Sequence, residues 1–316
     1  MPAPDPLQTL NPEPENPSRF AAAKPRCATI ARMKELHGKV AVVTGAGGGI
    51  GGAVARLLAA EGVRLAVCDI DETALEDLRH DLGPLAKDMI TARVDIAKRE
   101  DVEAFARTVH AQYPSVDLLI NCAGVYVSGS LLDLSLDDWE WVLSANLWGV
   151  IHACHYFIPP MVARREGGHV VNLVSMYGFW ASPCVAGYLT SKFAVFGFSE
   201  SLREDLRAHH IDVSTVCPGI IRTRLVQNMR IRGATGEEEQ IRSSLEKMYA
   251  RRNYGPDRVA RAILAAIRRR KKLVLVSPES HLMYQIERFC PPLSRLIARR
   301  AAARLFHPHR NDDTKL

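Results

Sequence analysis

Tyr188 and Lys192 stand four residues apart in a stretch with helical composition. At that spacing two side chains share one helix face, so the lysine ammonium lies close to the phenol. A free tyrosine titrates near pH 10, and a neighbouring positive charge favours the phenolate. Tyr188 is therefore a candidate proton donor and acceptor, and Lys192 is the candidate residue that tunes it. Ser175, thirteen residues before Tyr188, is a candidate to hydrogen bond the reacting oxygen.

A glycine-rich segment, residues 44–51, lies between a predicted strand and a predicted helix. Glycines there let the backbone turn tightly and approach a pyrophosphate at the positive end of the helix. A plain glycine-rich turn is the alternative interpretation. The candidate cofactor residues of this segment are Gly45, Gly49, Ile50 and Gly51.

Asp69 lies eighteen residues beyond Gly51, at the end of the second predicted strand. A carboxylate there can accept both ribose hydroxyls of NAD and repels the 2′-phosphate of NADP. Neither Gly48 nor Ile70 supplies the basic side chain of a phosphate clamp. The alternative is a solvated loop acid, and Asp71 is predicted to cap the next helix. NAD is thus the predicted cofactor.

The order of these motifs, T-G-x-x-x-G-x-G and later Y-x-x-x-K, resembles the short-chain dehydrogenase/reductase family over roughly residues 39–276. The resemblance implies hydride transfer between a nicotinamide and a carbon that bears a hydroxyl or carbonyl. It also implies that Lys192 fixes the nicotinamide ribose, and that Asn146 kinks its helix and completes a proton relay through a water. The implied catalytic residues are Asn146, Ser175, Tyr188 and Lys192.

The same resemblance assigns further positions to the cofactor. Cys122 departs from the family's N-N-A-G segment by replacing its second asparagine, which is a mild change because the segment acts mostly through its backbone. Besides the glycine-rich loop, Asp69, Tyr188 and Lys192, the implied cofactor residues are Asp95, Ile96, Asn121, Ala123, Gly124, Pro218, Gly219 and Thr223.

Short apolar runs alternate with helical patterns, which predicts an α/β fold with a doubly wound (Rossmann) parallel sheet of about seven strands and helices on both faces. The predicted strands are Val40–Thr44, Arg64–Asp69, Met89–Asp95, Asp117–Asn121, His169–Ser175, Asp212–Cys217 and Leu273–Val276. The predicted helices are Ile50–Glu61, Glu72–Leu82, Arg99–Gln112, Leu136–Met161, Ala186–Ala208 and Pro256–Arg270.

Composition divides the chain into three predicted parts. Residues 1–32 hold seven of the eighteen prolines and are predicted to be a disordered leader, and translation from Met33 is a further possibility. Residues 33–277 are predicted to form a single catalytic domain, and residues 278–316 a basic helical extension. From Arg251 to Arg310 there are fifteen basic residues against three acidic ones, so this stretch holds the positive charge of a chain whose net charge is +6.

Several classes of function are not expected. The seven cysteines are scattered, without a C-x-x-C pair or histidines at metal spacing, so no metal site is predicted and the thiols are expected to be reduced in a cytoplasm. No apolar run approaches the roughly 20 residues of a membrane span. The basic stretch has no nucleic-acid recognition motif, so no nucleic-acid partner is expected.

By analogy with the family, the apolar residues that follow Ser175, together with Tyr126 and Val127, line the substrate cleft, and residues 222–253 form a mobile lid. Such a lining suits a sizeable hydrophobic alcohol or ketone, although ordinary packing explains it equally well. The leading hypothesis is an NAD-dependent alcohol dehydrogenase or ketone reductase. The alternative is a non-catalytic NAD-binding regulatory or scaffold protein, against which the complete set of catalytic residues argues.

The basic extension is predicted to contain a helix over Ser294–Phe306. Its apolar stripe is predicted to consist of Leu296, Ile297, Ala301 and Leu305. Such a stripe can lie on an anionic membrane, but we favour packing on the protein's own body or on a partner subunit. A homodimer or homotetramer is expected, although the extension puts the family's usual tetramer contact in doubt.

Overall fold

The computed structural model describes residues 35–233, 238–252 and 254–306. The predicted leader lies outside these residues. The described strands are β1 (Val40–Thr44), β2 (Arg64–Asp69), β3 (Ile90–Arg93), β4 (Leu118–Asn121), β5 (Val127–Ser128), β6 (Gly168–Leu173), β7 (Ile211–Pro218), β8 (Arg230–Ile231) and β9 (Leu273–Val276).

Seven of these strands form one parallel sheet in the order β3-β2-β1-β4-β6-β7-β9. The predicted doubly wound sheet is therefore confirmed. The direction of winding reverses between β1 and β4, and in such sheets ligands bind outside the carboxyl ends of the strands at that point. The two short strands β5 and β8 pair separately, beyond the carboxyl edge of the sheet.

Helices cover both faces of the sheet. Along β1, Ala41 and Val43 join one buried cluster while Val40 and Val42 join the other, because successive strand residues point to opposite faces. The described helices are α1 (Gly49–Ala60), α2 (Glu72–Leu82), α3 (Arg99–Gln112), α4 (Leu136–Leu143), α5 (Gly149–Arg164), α6 (Ala186–Leu206), α7 (Glu238–Arg252), α8 (Pro256–Arg269), α9 (Pro278–Phe289) and α10 (Pro291–Phe306). The helices α1, α2 and α8 pack on one face, and α3, α5 and α6 on the other.

The structure differs from the sequence-based boundaries at several elements, and two differences lie near the candidate site. The helix predicted over Leu136–Met161 is divided into α4 and α5 by a wider π-type turn at Ser144–Trp148, which contains Asn146. Residues 222–253, interpreted from sequence as a charged and mobile lid, contain the fifteen-residue helix α7. Its buried residues are Ile241 and Leu245, so the hydrophobic periodicity that indicates a helix is weak there.

The basic extension forms two helices rather than the single predicted one. On α10 the buried positions are Ser294, Ala298 and Ala302, whereas Leu296 is exposed. The prediction that Leu296 belongs to the packed stripe was therefore wrong. Close packing of the helix buries the small residues instead. Leu305 lies where no side chain is described. Ala298 and Met283 of α9 pack against the body of the protein, in a cluster with Met176 and Trp180.

The described part of the chain has neither a candidate membrane span nor a candidate metal site. Residues 35–233, 238–252 and 254–306 include no helix that is long and apolar enough to cross a membrane. The same ranges contain no group of three or more His, Cys, Asp or Glu side chains arranged to hold a metal ion.

Candidate active site

Tyr188 and Lys192 lie on the first two turns of α6, at the carboxyl edge of the sheet. Both side chains are buried. The Lys192 ammonium lies 5.6 Å from the centre of the Tyr188 ring and donates a 3.2 Å hydrogen bond to the Leu173 carbonyl at the end of β6. Ser175 follows two residues later, and its side chain is close enough to the Tyr188 phenol to favour the phenolate by hydrogen bonding. The structure thus brings these three candidate residues together.

Burial dominates the acid–base properties of the pair. It raises the pKa of the Tyr188 phenol above its usual value and lowers the pKa of Lys192 to about 8. Burial thus outweighs the lowering of the Tyr188 pKa that the sequence spacing leads us to expect from Lys192, whose ammonium is hydrogen bonded to the Leu173 carbonyl. Tyr188 is consequently a phenol at neutral pH and is poised to donate a proton.

Asn146 lies fully buried in the π-type turn between α4 and α5. Its Oδ1 accepts a 2.7 Å hydrogen bond from the amide of Val125, and its Nδ2 donates to the Val125 carbonyl and to Ser191 Oγ, each at 2.9 Å. Both amide hydrogens are therefore engaged in fixing the segment after β4 to α6. The side chain therefore positions the site, and the proton relay through a water that the resemblance implies for Asn146 stays a prediction.

The glycine-rich loop connects β1 to α1. Gly45 has a φ of +68°, and a Cβ there would lie 2.6 Å from backbone atoms of Ala123, so no other residue fits. A Cβ on Gly51 would collide with the carbonyl oxygen of Gly45. The first turn of α1 has no acidic residue and no side-chain cap, so its amides are available to an anion. These features fit the pyrophosphate of a dinucleotide.

Asp69 ends β2 directly beside this loop. Its Oδ2 accepts a 2.8 Å hydrogen bond from the amide of Gly47, and its Oδ1 accepts one of 3.1 Å from the amide of Asp71. The partly exposed carboxylate is thereby fixed beside the glycine-rich loop. Asp71 caps α2 through the amide of Ala74, as predicted.

Candidate residues at the ends of β3 and β4 fall into two groups. Asp95 accepts a hydrogen bond from the amide of Ala97, and the neighbouring Ile96 packs against Gly149 of α5. Asn121 is buried within the sheet, where its Nδ2 donates to Asn172 Oδ1 at 2.8 Å. Its side chain therefore supports the sheet and does not face the cofactor position.

Ala123 and Gly124 form the turn that follows β4. The amide of Ala123 donates to Thr44 Oγ1, which ties this turn to β1. A Cβ on Gly124 would lie 3.0 Å from Asn146 Oδ1 and 3.6 Å from the Lys192 ammonium. The backbone of this segment thus lies between the glycine-rich loop and the catalytic pair.

Thr223 is a predicted cofactor residue that follows the glycine-rich loop by more than 170 residues along the chain. In the structure it lies against that loop. A Cβ on Gly49 would be 3.5 Å from the Thr223 side chain. Pro218 ends β7, and the amide of Gly219 donates to the Val276 carbonyl of β9. The start of α1 and the segment after β7 are therefore neighbours in the fold.

Aromatic side chains surround the Tyr188 phenol. Tyr126 packs edge-on against Tyr188 with ring centres 4.4 Å apart, and Tyr177 does so at 6.1 Å. Tyr177 in turn stacks on Trp180 at 5.7 Å. Sequence analysis placed these three residues in the lining but missed Tyr249 of α7. Burial, and then the neighbouring Tyr177 and Tyr188, raise the pKa of its phenol. Its only sequence signal was an aromatic residue within a charged segment.

A parallel sheet with a glycine-rich nucleotide loop, and a buried Ser–Tyr–Lys set at its carboxyl edge, defines a Rossmann-type oxidoreductase. Residues 39–232 match the family model described as short chain dehydrogenase. The chain therefore belongs to the short chain dehydrogenase family.

Individual relatives agree with this assignment. A probable oxidoreductase EphD of Mycobacterium tuberculosis is 36% identical over 276 residues, which are 86% of this chain and 47% of the relative. The chain thus spans about half the length of that relative. A putative oxidoreductase SadH of the same organism is 33% identical over 252 residues, covering 78% of this chain and 89% of the relative. A short-chain dehydrogenase/reductase from Burkholderia phymatum, solved in complex with NAD, is 31% identical, with a TM-score of 0.76 over 83% of this chain and 97% of that one.

Proposed function

We propose that this protein is an NAD-dependent oxidoreductase that interconverts a hydrophobic secondary alcohol and the corresponding ketone. The observation that carries the proposal is the convergence of Ser175, Tyr188 and Lys192, all buried, beside a loop shaped for a pyrophosphate. A protein that only binds the nucleotide has no need of this complete set. The complex of the Burkholderia phymatum relative with NAD supports the choice of cofactor.

The choice of NAD over NADP rests on Asp69. Its carboxylate is held by the amides of Gly47 and Asp71 at the end of β2. There it can accept hydrogen bonds from two ribose hydroxyls and it repels a 2′-phosphate. When bound, NAD supplies the carbon that accepts or donates the hydride and, in its oxidised form, a positive charge near the phenol.

The protein's own residues transfer the proton and position the substrate. Ser175 holds the substrate oxygen beside the phenol. In the reductive direction the Tyr188 phenol gives its proton to the oxygen that becomes a hydroxyl, and in the oxidative direction the Tyr188 phenolate takes the proton of the alcohol. The buried ammonium of Lys192 stabilises the phenolate that forms when Tyr188 has lost its proton.

The walls of the site indicate the class of substrate. Tyr126, Tyr177 and Trp180 present aromatic surface next to Tyr188, and Met283 of α9 extends the apolar wall behind Trp180. Burying apolar substrate surface there stabilises binding by about 25 cal/mol per Å². A bulky alkyl or aryl carbinol therefore suits the site better than a small polar alcohol.

The proposal is tested by mixing the purified chain with NAD⁺ and a graded panel of secondary alcohols, and with NADH and the matching ketones. We expect absorbance at 340 nm to change with bulky hydrophobic members and to respond far less to small ones. A non-catalytic NAD-binding protein would bind NADH without turning over any member of the panel. Binding of NADH with no turnover across the panel would therefore favour that alternative.

A further inference from the structure

The start of α9 is pressed against the segment that follows β7. Ser280 Oγ donates a buried 2.7 Å hydrogen bond to the Cys217 carbonyl. A Cβ on Gly219 would lie 2.5 Å from Ser277 Oγ and 2.7 Å from Glu279 Cγ, so only glycine allows this approach. The extension therefore contacts the segment that forms one side of the candidate cofactor cleft.

The carboxylate of Glu279 joins two separate parts of the site. Its Oε1 accepts a 2.9 Å hydrogen bond from the amide of Ile220, in the segment after β7. Its Oε2 pairs at 2.5 Å with the guanidinium of Arg252, the last residue of α7. The Glu279 side chain is only 15% exposed, whereas that of Arg252 is 45% exposed. One carboxylate thus connects the cofactor segment, the lid helix and the extension.

The orientation of α7 matters because this helix contributes to the substrate wall. Tyr249, one turn before Arg252, packs in the same cluster as Tyr126, which contacts the Tyr188 ring. α10 also packs on α7. A shift of the carboxyl end of α7 would therefore move aromatic surface next to the catalytic phenol.

We propose that Glu279 is a positioning residue that couples occupancy of the cofactor cleft to the placement of the lid helix α7. The inference rests on the proposed function, since the segment after β7 is a cofactor site only if the protein binds NAD. Binding that orders Pro218–Ile220 fixes Glu279, and Glu279 fixes Arg252. An ion pair that is half exposed on the arginine side adds little to global stability, so its effect is expected in the local order of α7.

Hydrogen–deuterium exchange of residues 238–252, measured with and without NADH, tests the coupling. Glu279→Gln keeps an oxygen that can accept from the Ile220 amide but removes the charge that faces Arg252, whereas Arg252→Gln removes the same pair from the other side. Glu279→Ala removes both contacts. Arg288→Gln, at an exposed position on the same helix, and Arg251→Gln, next to Arg252, are the matched controls.

Without NADH, we expect Glu279→Gln and Arg252→Gln each to speed exchange in α7 by about 3- to 5-fold. The double variant should behave like either single one, because both remove one interaction. Exchange rates equal to those of the controls, or additive effects, would overturn the role of the pair.

With NADH, exchange in α7 of the parent should slow, and this protection should be largely lost in Glu279→Ala. Equal protection in that variant and in the parent, with NADH bound to both, would refute the coupling and leave the proposed function standing. A parent protein that binds no NADH would refute the proposed function and the coupling together. The exchange rates without NADH would still test whether the Glu279–Arg252 pair orders α7.

Discussion

The amide of Gly47 donates a 2.8 Å hydrogen bond to Oδ2 of Asp69, although 22 residues separate them. This bond joins the glycine-rich loop to the end of β2 and fixes the carboxylate before any ligand binds. A carboxylate that is held in place in this way distinguishes NAD from NADP better than a mobile one, because ligand binding does not have to order it.

Cofactor preference should depend on that charge. Asp69→Asn keeps the shape of the side chain but removes the carboxylate, so catalytic efficiency with NAD⁺ should fall by about 10- to 100-fold, as expected for charge-assisted hydrogen bonds. Efficiency with NADP⁺ should rise relative to NAD⁺. Asp71→Asn, in which asparagine still caps α2, is the control and should change neither value. A parent enzyme that uses both cofactors equally would contradict the role given to Asp69.

Turnover should depend on the phenolic oxygen of Tyr188. Tyr188→Phe removes only that oxygen, so NADH binding, measured by fluorescence, should be retained while the turnover rate drops by at least about 100-fold. Tyr126→Phe removes a hydroxyl from the neighbouring ring and serves as the control, with a small effect. Turnover of Tyr188→Phe within tenfold of the parent would show that another group transfers the proton.

Lys192 should lower the free energy of unfolding although it is needed for activity. Burial lowers its pKa from 10.5 to about 8, so the folded state is penalised for holding the charge below pH 8, and this penalty fades as the pH rises toward 10.5. Lys192→Met should therefore raise the free energy of unfolding at pH 7 by on the order of 2 kcal/mol. The gain should shrink at pH 10, and activity should be lost. Denaturant titrations of both proteins at the two pH values measure the effect, and a destabilised variant at pH 7 would contradict it.

Asp138 should anchor the base of the lid. This carboxylate on α4 is 2% exposed and accepts hydrogen bonds from Arg232 at 2.8 and 2.9 Å and from Arg230 at 3.2 Å. Hydrogen bonding from Arg232 contributes most to lowering the pKa of Asp138 to about 2. Its contribution to stability is therefore complete above pH 4 and is lost as the pH falls toward 2.

Asp138→Asn should reduce the free energy of unfolding by about 3 kcal/mol at pH 7, because it leaves two arginines without their shared buried partner. The loss should disappear near pH 2, where the parent carboxylate is also protonated. The exposed neighbour Asp137 on the same helix provides the control variant Asp137→Asn, which should change stability by less than about 0.5 kcal/mol. Equal effects of the two variants would remove the special role of Asp138.

The elements that depend on local pattern could be predicted from the sequence. The strands β1, β2 and β9 and the helices α2 and α3 have the predicted bounds, since apolar periodicity and turn residues act over a few neighbouring positions. The glycine-rich loop and the Tyr188–Lys192 spacing belong to the same category. Within a helix, a separation of four residues fixes which side chains share a face, so the chemistry of that pair could be read before the fold was known.

Tertiary packing decided the features that join distant segments. The contacts of Asp138 with Arg232 and of Glu279 with Ile220 cross 94 and 59 residues, and no local pattern marks either pair. Packing also placed the buried face of α10 on Ser294, Ala298 and Ala302, because helices approach closely where side chains are small. Tertiary packing also determined the pKa of Tyr188. The four-residue spacing brought Lys192 near, but only the folded structure set how deeply both groups are buried and where the ammonium points. Desolvation is a property of the whole surrounding volume, so sequence spacing alone could not reveal it.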